Sequence, residues 1–274
     1  MTTPPPDITL AVDPRNPGQF FACCGVLELA SRLWPGSEAN NWHAPEGWFA
    51  KNGSRASFHI ATYSGHNEPL GEIVRALIKP AVLVELADDH EAHAQKDRKP
   101  IVIVPFGLRL DWWLDSYRGG DKSELKVWAG QQKPDEKLKE LREAWRGFVK
   151  RSPDEIAAHS LLSQQAPVAG FGFDPQSAWK SINIGFSADE QEIDVLTSPS
   201  IEMLAAIGIQ RCRPRHVERR TFAYRAWADP IGIAVVPAAI AGAGRAVGLF
   251  EFPVVMRNAQ YGSFGWAKPS EEKQ

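Results

Sequence analysis

Residues 209–220 read IQRCRPRHVERR, which places Arg211, Arg213, Arg215, His216, Arg219 and Arg220 within ten positions. Guanidinium groups at that density hold phosphate oxygens, because each presents a planar fork of donors and keeps its charge at any physiological pH. Proline at position 214 biases the residue before it toward extended backbone. With the preceding helix ending near Ile209, the spacing predicts Arg211, Arg213 and Arg215 on one side of an extended segment, ~6–7 Å between neighbours. That interval suits the repeat of a nucleic-acid backbone. Arg219, Arg220 and Arg225 continue the charge, interleaved with Phe222, Tyr224 and Trp227, aromatic faces of the kind on which unpaired bases stack. The competing reading pairs these arginines with Asp and Glu elsewhere. His216 adds a second chemistry, since an imidazole beside phosphate-holding groups can serve as general acid or base in RNA cleavage.

Other constellations are thinner. His59 lies in a strand-like run and is the second candidate for acid–base work. Arg118, Lys122 and Lys126 stand beside Trp112, Trp113, Tyr117 and Trp128, a second basic and aromatic patch, and Lys96, Arg98 and Lys99 form a third. Asp88, Asp89, His90 and His93 carry metal-ligating atoms, but no second cluster completes four ligands, so no metal is expected. Cys23 and Cys24 fall in an apolar helix without an identifiable base and are expected in the core. Cys212, between Arg211 and Arg213, would have a stabilised thiolate if exposed. Residues 242–248, GAGRAVG, miss the G-x-G-x-x-G spacing of a dinucleotide loop and are read as a connection, so no cofactor is expected.

The elements that position these residues follow from pattern. Residues 7–12 alternate as a strand, and 19–34 are apolar nearly all round, a buried helix opened by Pro17 and closed by Pro35 and Gly36. Residues 47–51 and 55–62 form a hairpin about Asn-Gly-Ser, and 69–79 form an amphipathic helix. Residues 81–86 and 99–106 compete for the following strand. The order β-α-β-β-α-β is that of a ferredoxin-like, RRM-like core in an α+β fold. Residues 1–107 form its first part and 108–170 an insertion with amphipathic helices at 134–151 and 152–164. Residues 171–274 form a C-terminal α+β part packing on the same core, with strands at 181–187, 221–227, 231–237 and 248–256 and a helix opened at Ser198.

A net charge of −2 excludes coating of nucleic acid by bulk charge, so any polyanion must be met by local patches. No apolar run reaches the ~20 residues of a membrane span, and residues 1–7, MTTPPPD, lack a signal peptide's order. The cytoplasm is the expected location, with no membrane partner. Those seven residues and the last seven, KPSEEKQ, read as disordered ends.

Three stretches, NPGQFFACCGVLELASRLWPG, KSELKVWAGQQ and SPSIEMLAAIGIQRCRPR, resemble the small accessory subunits of CRISPR-associated type I-U effector loci, later called type I-G. Members of that group are similar to the repeat-associated mysterious protein superfamily, whose ferredoxin-like cores bind CRISPR RNA within Cascade-type complexes. The matching stretches run from Asn16 to Arg215. The resemblance implies a binding or assembly role beside CRISPR RNA, target DNA and other subunits of the complex rather than turnover. Its alternative is metal-independent processing of the precursor RNA by His216 or His59. The chain departs from the superfamily's RNA-backbone subunits, which are often more basic.

Overall fold

The run NPGQFFACCGVLELA has almost no polar face, so it can be a stable helix only where protein surrounds it. It forms α1, Pro17–Leu33, with Asn16 as N-cap accepting the Gln19 N–H and with Pro17–Ala30 buried. The structure, a computed structural model, describes residues 3–37, 43–52, 55–79, 83–85, 101–104, 106–114, 125, 133–151, 162, 166–177, 196–256 and 262–271. Arg98, Arg118, Lys122 and Lys126, residues 88–93, the expected strand at 181–187 and, apart from Leu162, the expected helix at 152–164 lie outside these residues.

Strand β1, Ile8–Val12, alternates buried and exposed residues and pairs antiparallel with β3, Arg55–Ala61, which pairs in turn with β2, Glu46–Asn52. Helix α2, Pro69–Ile78, follows β3. Strand β4, Leu83–Glu85, then joins β5, Ile101–Ile103, and β6, Leu108–Leu110, in a separate three-stranded sheet. Both segments that competed for one strand are therefore strands, paired with each other. Helix α3, Pro134–Arg151, turns Leu138, Leu141 and Trp145 inward, the face its periodicity predicts.

Helix α4, Pro199–Arg211, is capped by Ser198, whose Oγ accepts the Ile201 N–H. It packs directly on α1, and the crossing depends on two glycines: a Cβ on Gly25 would strike the Leu204 carbonyl oxygen, and one on Gly208 the Phe21 carbonyl oxygen. Strands β7, Arg215–Glu218, and β8, Thr221–Trp227, form a hairpin. Strand β9, Ile231–Gly232, pairs with β2, placing this C-terminal strand in the first sheet. The expected strand over 231–237 stops there, and Val236–Ala241 form helix α5 with Pro237 in its first turn. Strand β10, Ala246–Met256, pairs with β8, with β11, Gly262–Phe264, and with β12, Lys268–Ser270. Residues 268–270, expected to be disordered, are thus a strand.

The fold is α+β, with five helices and several antiparallel sheets among the described residues. Helix α1 is shared between two of the sheets. Phe20 stacks on Tyr224 of β8 at 4.1 Å and on Phe49 of β2 at 5.4 Å, and Phe49 meets Trp227 edge-on at 5.0 Å. Rings in such offset and T-shaped pairs contribute beyond the area they bury. No helix among the described residues is long and apolar enough to cross a membrane.

Candidate nucleic-acid interface

The basic segment begins on α4, not after it. The helix continues two residues past Ile209, because Pro214 restricts only Arg213 and leaves Arg211 free to stay helical. Arg211 therefore points back at α1 rather than along a shared edge with Arg213 and Arg215. Its Nε lies 2.6 Å from Glu28 Oε2 and its Nη2 3.2 Å from Oε1, while Arg32 Nε holds the same Oε1 at 2.9 Å. Glu28 is buried, and a buried carboxylate without cations would be costly. The hydrogen bond to Glu28 is also the main reason the Arg211 guanidinium holds its proton more tightly than usual. Of the five clustered arginines, this half-exposed one is paired with a buried carboxylate.

Arg213 is exposed, and its guanidinium carbon lies 5.4 Å from the centre of the Trp112 ring, with Nε donating to the Gln210 carbonyl at 3.0 Å. Trp112 is fixed from the helix as well. Gln210 Oε1 accepts the N–H groups of Asp111 and Trp112 at 3.0 and 2.9 Å, and its Nε2 donates to the Ala206 carbonyl. The result is a cation laid on an aromatic face at the rim of the protein.

Arg215 is exposed at the start of β7, the edge strand of its sheet. The register aligns Arg215, Ala223, Glu251 and Lys268 in one row across four strands, opposite the face on which Tyr224 and Phe252 approach Phe21. Arg225 shares the outer face, two residues along β8 from Ala223. Its Nη1 donates to the Gly244 carbonyl at 3.0 Å and more loosely to that of Ala243, while the next backbone N–H of the Gly-rich connection, that of Arg245, donates to the Asp229 carboxylate. The hairpin turns through Arg219 and Arg220, both exposed, with Arg219 at φ 44 in the left-handed region that costs a side-chain-bearing residue energy.

No family model, curated protein or solved structure matches the chain.

His216 Nε2 lies 3.0 Å from the Arg219 carbonyl oxygen, an acceptor, so Nε2 carries the hydrogen and the ring braces the strained turn. The ring also rests edge-on against Phe222 at 5.4 Å. His59, on the outer face of the first sheet, is 3.0 Å from Thr9 Oγ1 and tilts over Trp48, and burial lowers its pKa. The two histidines sit on different sheets.

The aromatics expected to stack on bases are core residues instead. Phe222, Tyr224 and Trp227 are all buried, the Tyr224 hydroxyl donating to the Pro14 carbonyl and Trp227 Nε1 to the Gly47 carbonyl, each at 2.6 Å. A period-two alternation cannot say which face of a strand meets the protein, and here Tyr224 and Trp227 meet Phe20 of α1 while Phe222 packs on Phe252. Cys212 is buried too, which removes the exposed thiolate, and burial pushes the thiols of Cys23 and Cys24 well up.

Two carboxylates tie α4 and α1 to the segment 171–174. Glu202, fully buried on α4, accepts the Phe171 N–H at Oε2 (2.6 Å) and those of Phe173 and Asp174 at Oε1 (3.0 and 3.1 Å). Burial pushes its pKa up to about 7 against those three hydrogen bonds. Asp174, its pKa raised by burial, accepts from Asn16 Nδ2 at 2.9 Å and so links the loop to the α1 N-cap. A lone Glu inside each apolar run, Glu28 in VLELA and Glu202 in SIEML, was the available signal for both, since a charge there requires partners.

Proposed function

We propose that the chain is an RNA-binding or assembly subunit of a type I CRISPR-Cas interference complex, built on a ferredoxin-like core. It acts in the cytoplasm and holds guide RNA or target nucleic acid through phosphate contacts. The observation that carries the reading is the run of exposed arginines 213, 215, 219 and 220 along the α4 exit and the edge hairpin. Arg213 in this run is pre-oriented on Trp112. Contacts of this kind fix a strand in place without reading its bases. The order β1-β3-β2 around α1 fits the split βαβ plan, which a strand beside β1 would complete. The net charge of −2 leaves most of the surface for protein neighbours.

The test is the salt dependence of binding to a fluorescent 30-nucleotide single-stranded RNA, comparing the natural protein with Arg213→Glu, Arg215→Glu, Arg220→Glu combined. Three lost phosphate contacts lower the slope of log K against log salt by about 2. An unchanged slope, together with unchanged RNA occupancy in the assembled complex, overturns the proposal. Repeat RNA cleaved in EDTA by the natural protein and left whole by His216→Ala assigns endoribonuclease activity instead.

A further inference from the structure

Among the described residues, the first sheet has an open edge that the arginine site does not use. Strand β9 covers β2 only at Glu46 and Gly47, and no strand among the described residues covers the same edge from Trp48 onward. The Gly47 carbonyl faces that edge, where it accepts the Trp227 indole N–H. Main-chain direction alternates along a strand, so the N–H and C=O groups of Phe49 and Lys51 face the same way. They open into a shallow groove of ≈ 410 Å³ lined by Ala50 and Lys51 of β2, by Arg245, Ala246 and Val247, and by Thr3 of the N-terminal segment. The wall of β10 is open as well: Ala246 and Gly248 pair with β8, and β12 begins to pair only at Leu249.

Unpaired strand groups at an open edge are a template for another strand. The side chains along this one choose its character. Half-buried Ala246 and Val247 offer apolar contact, while Lys51 is exposed and the Arg245 side chain is 79% exposed even while paired with Asp229. We infer that this groove receives an extended, alternately apolar and acidic segment of a neighbouring protein chain, which adds to β2 as an edge strand. The inference goes beyond the nucleic-acid reading and does not rest on it.

The experiment uses the full chain and a fluorescein-labelled seven-residue peptide alternating Glu and Val. It includes two further peptides, each N-methylated on one of the two alternate sets of residues. Strand addition uses the main-chain N–H groups of one set only. Saturable binding in the range of about 10–100 µM is expected for so short a segment. Methylation of one set weakens it at least tenfold, and methylation of the other leaves it within twofold. Lys51→Pro, which removes a groove-facing N–H while keeping the residue off the β3 side of the ladder, abolishes binding, as does Val247→Trp, which fills the groove. Equal effects of the two methylated peptides, binding that survives both substitutions in proteins of unchanged circular dichroism, no saturation by 1 mM, or displacement of the peptide by a short single-stranded RNA each overturn the inference.

Discussion

Ionising Glu202 should weaken the fold, and the size of the effect can be worked out. Its pKa rises from 4.5 for an ordinary Glu carboxyl to about 7 in the folded protein, with burial outweighing the N–H groups of Phe171, Phe173 and Asp174. A folded-state value above the unfolded one means that the native state binds the proton more tightly. Its contribution is fully present below pH 4.5 and is lost as pH rises toward 7, where each pH unit removes up to about 1.4 kcal/mol and the total is about 3 kcal/mol. Glu202→Gln abolishes this titration. The amide also sets an N–H donor against one of the loop N–H groups, which costs about 1–3 kcal/mol at every pH. Urea unfolding of both proteins at pH 5, 6, 7 and 8 is the assay. Working above pH 5 stays clear of the carboxyls of Asp13 and Asp229, whose lowered values remove stability only in acid, and the raised Asp174 is present in both proteins. The natural protein should be the more stable of the two at pH 5 and lose that advantage by pH 8. Stability curves that run parallel from pH 5 to 8 would refute the account of a buried, proton-binding carboxylate.

Two further predictions follow from the helix pair. Gly208→Ala drives a methyl group into the backbone of Phe21 and Gly25, so α1 and α4 must separate, at a cost of about 2–3 kcal/mol read as a Tm lower by about 5–10 °C. Arg211→Ala leaves buried Glu28 with Arg32 alone and, discounted for the exposure of Arg211, costs about 1–2 kcal/mol in urea unfolding. Because Arg211 is spent on Glu28, this variant should keep the natural salt slope of RNA binding, and a slope reduced as much as by Arg215→Glu would contradict the division of roles.

Elements whose signals are local were legible in the sequence. Alternation over 7–12, the Asn-Gly-Ser turn of the β2–β3 hairpin, and the Ser-Pro start of α4 each dictate structure within a few residues. What failed depended on tertiary context. The run IGIAVVP has Ile or Val at four of seven positions, yet only Ile231 and Gly232 find an edge to pair with, and Pro237 suits the first turn of α5. The tail strand Lys268–Ser270 has no strand-like composition and forms because β10 offers it an edge. At the site, density of charge was legible but direction was not. Whether Arg211 lay on helix or extended chain decided its partner, and the partner, Glu28, is 183 residues away.

That division of labour has a consequence for how such a surface works. Four arginines, at 213, 215, 219 and 220, can neutralise at most about four phosphates, which gives a single-strand salt slope near −3. A slope so shallow belongs to weak binding at physiological salt, and a chain of net charge −2 adds no long-range attraction to compensate. Under the proposed role, useful occupancy would come from assembly, in which a neighbouring subunit holding the same strand raises the local concentration of phosphate and converts the second contact into an intramolecular one. The pre-orientation of Arg213 on Trp112 and the bracing of the Arg219 turn by His216 act in the same direction, since groups already fixed lose little entropy when the strand arrives. Removing Trp112 should therefore weaken binding while leaving the salt slope alone, because the charge remains and only its orientation is lost.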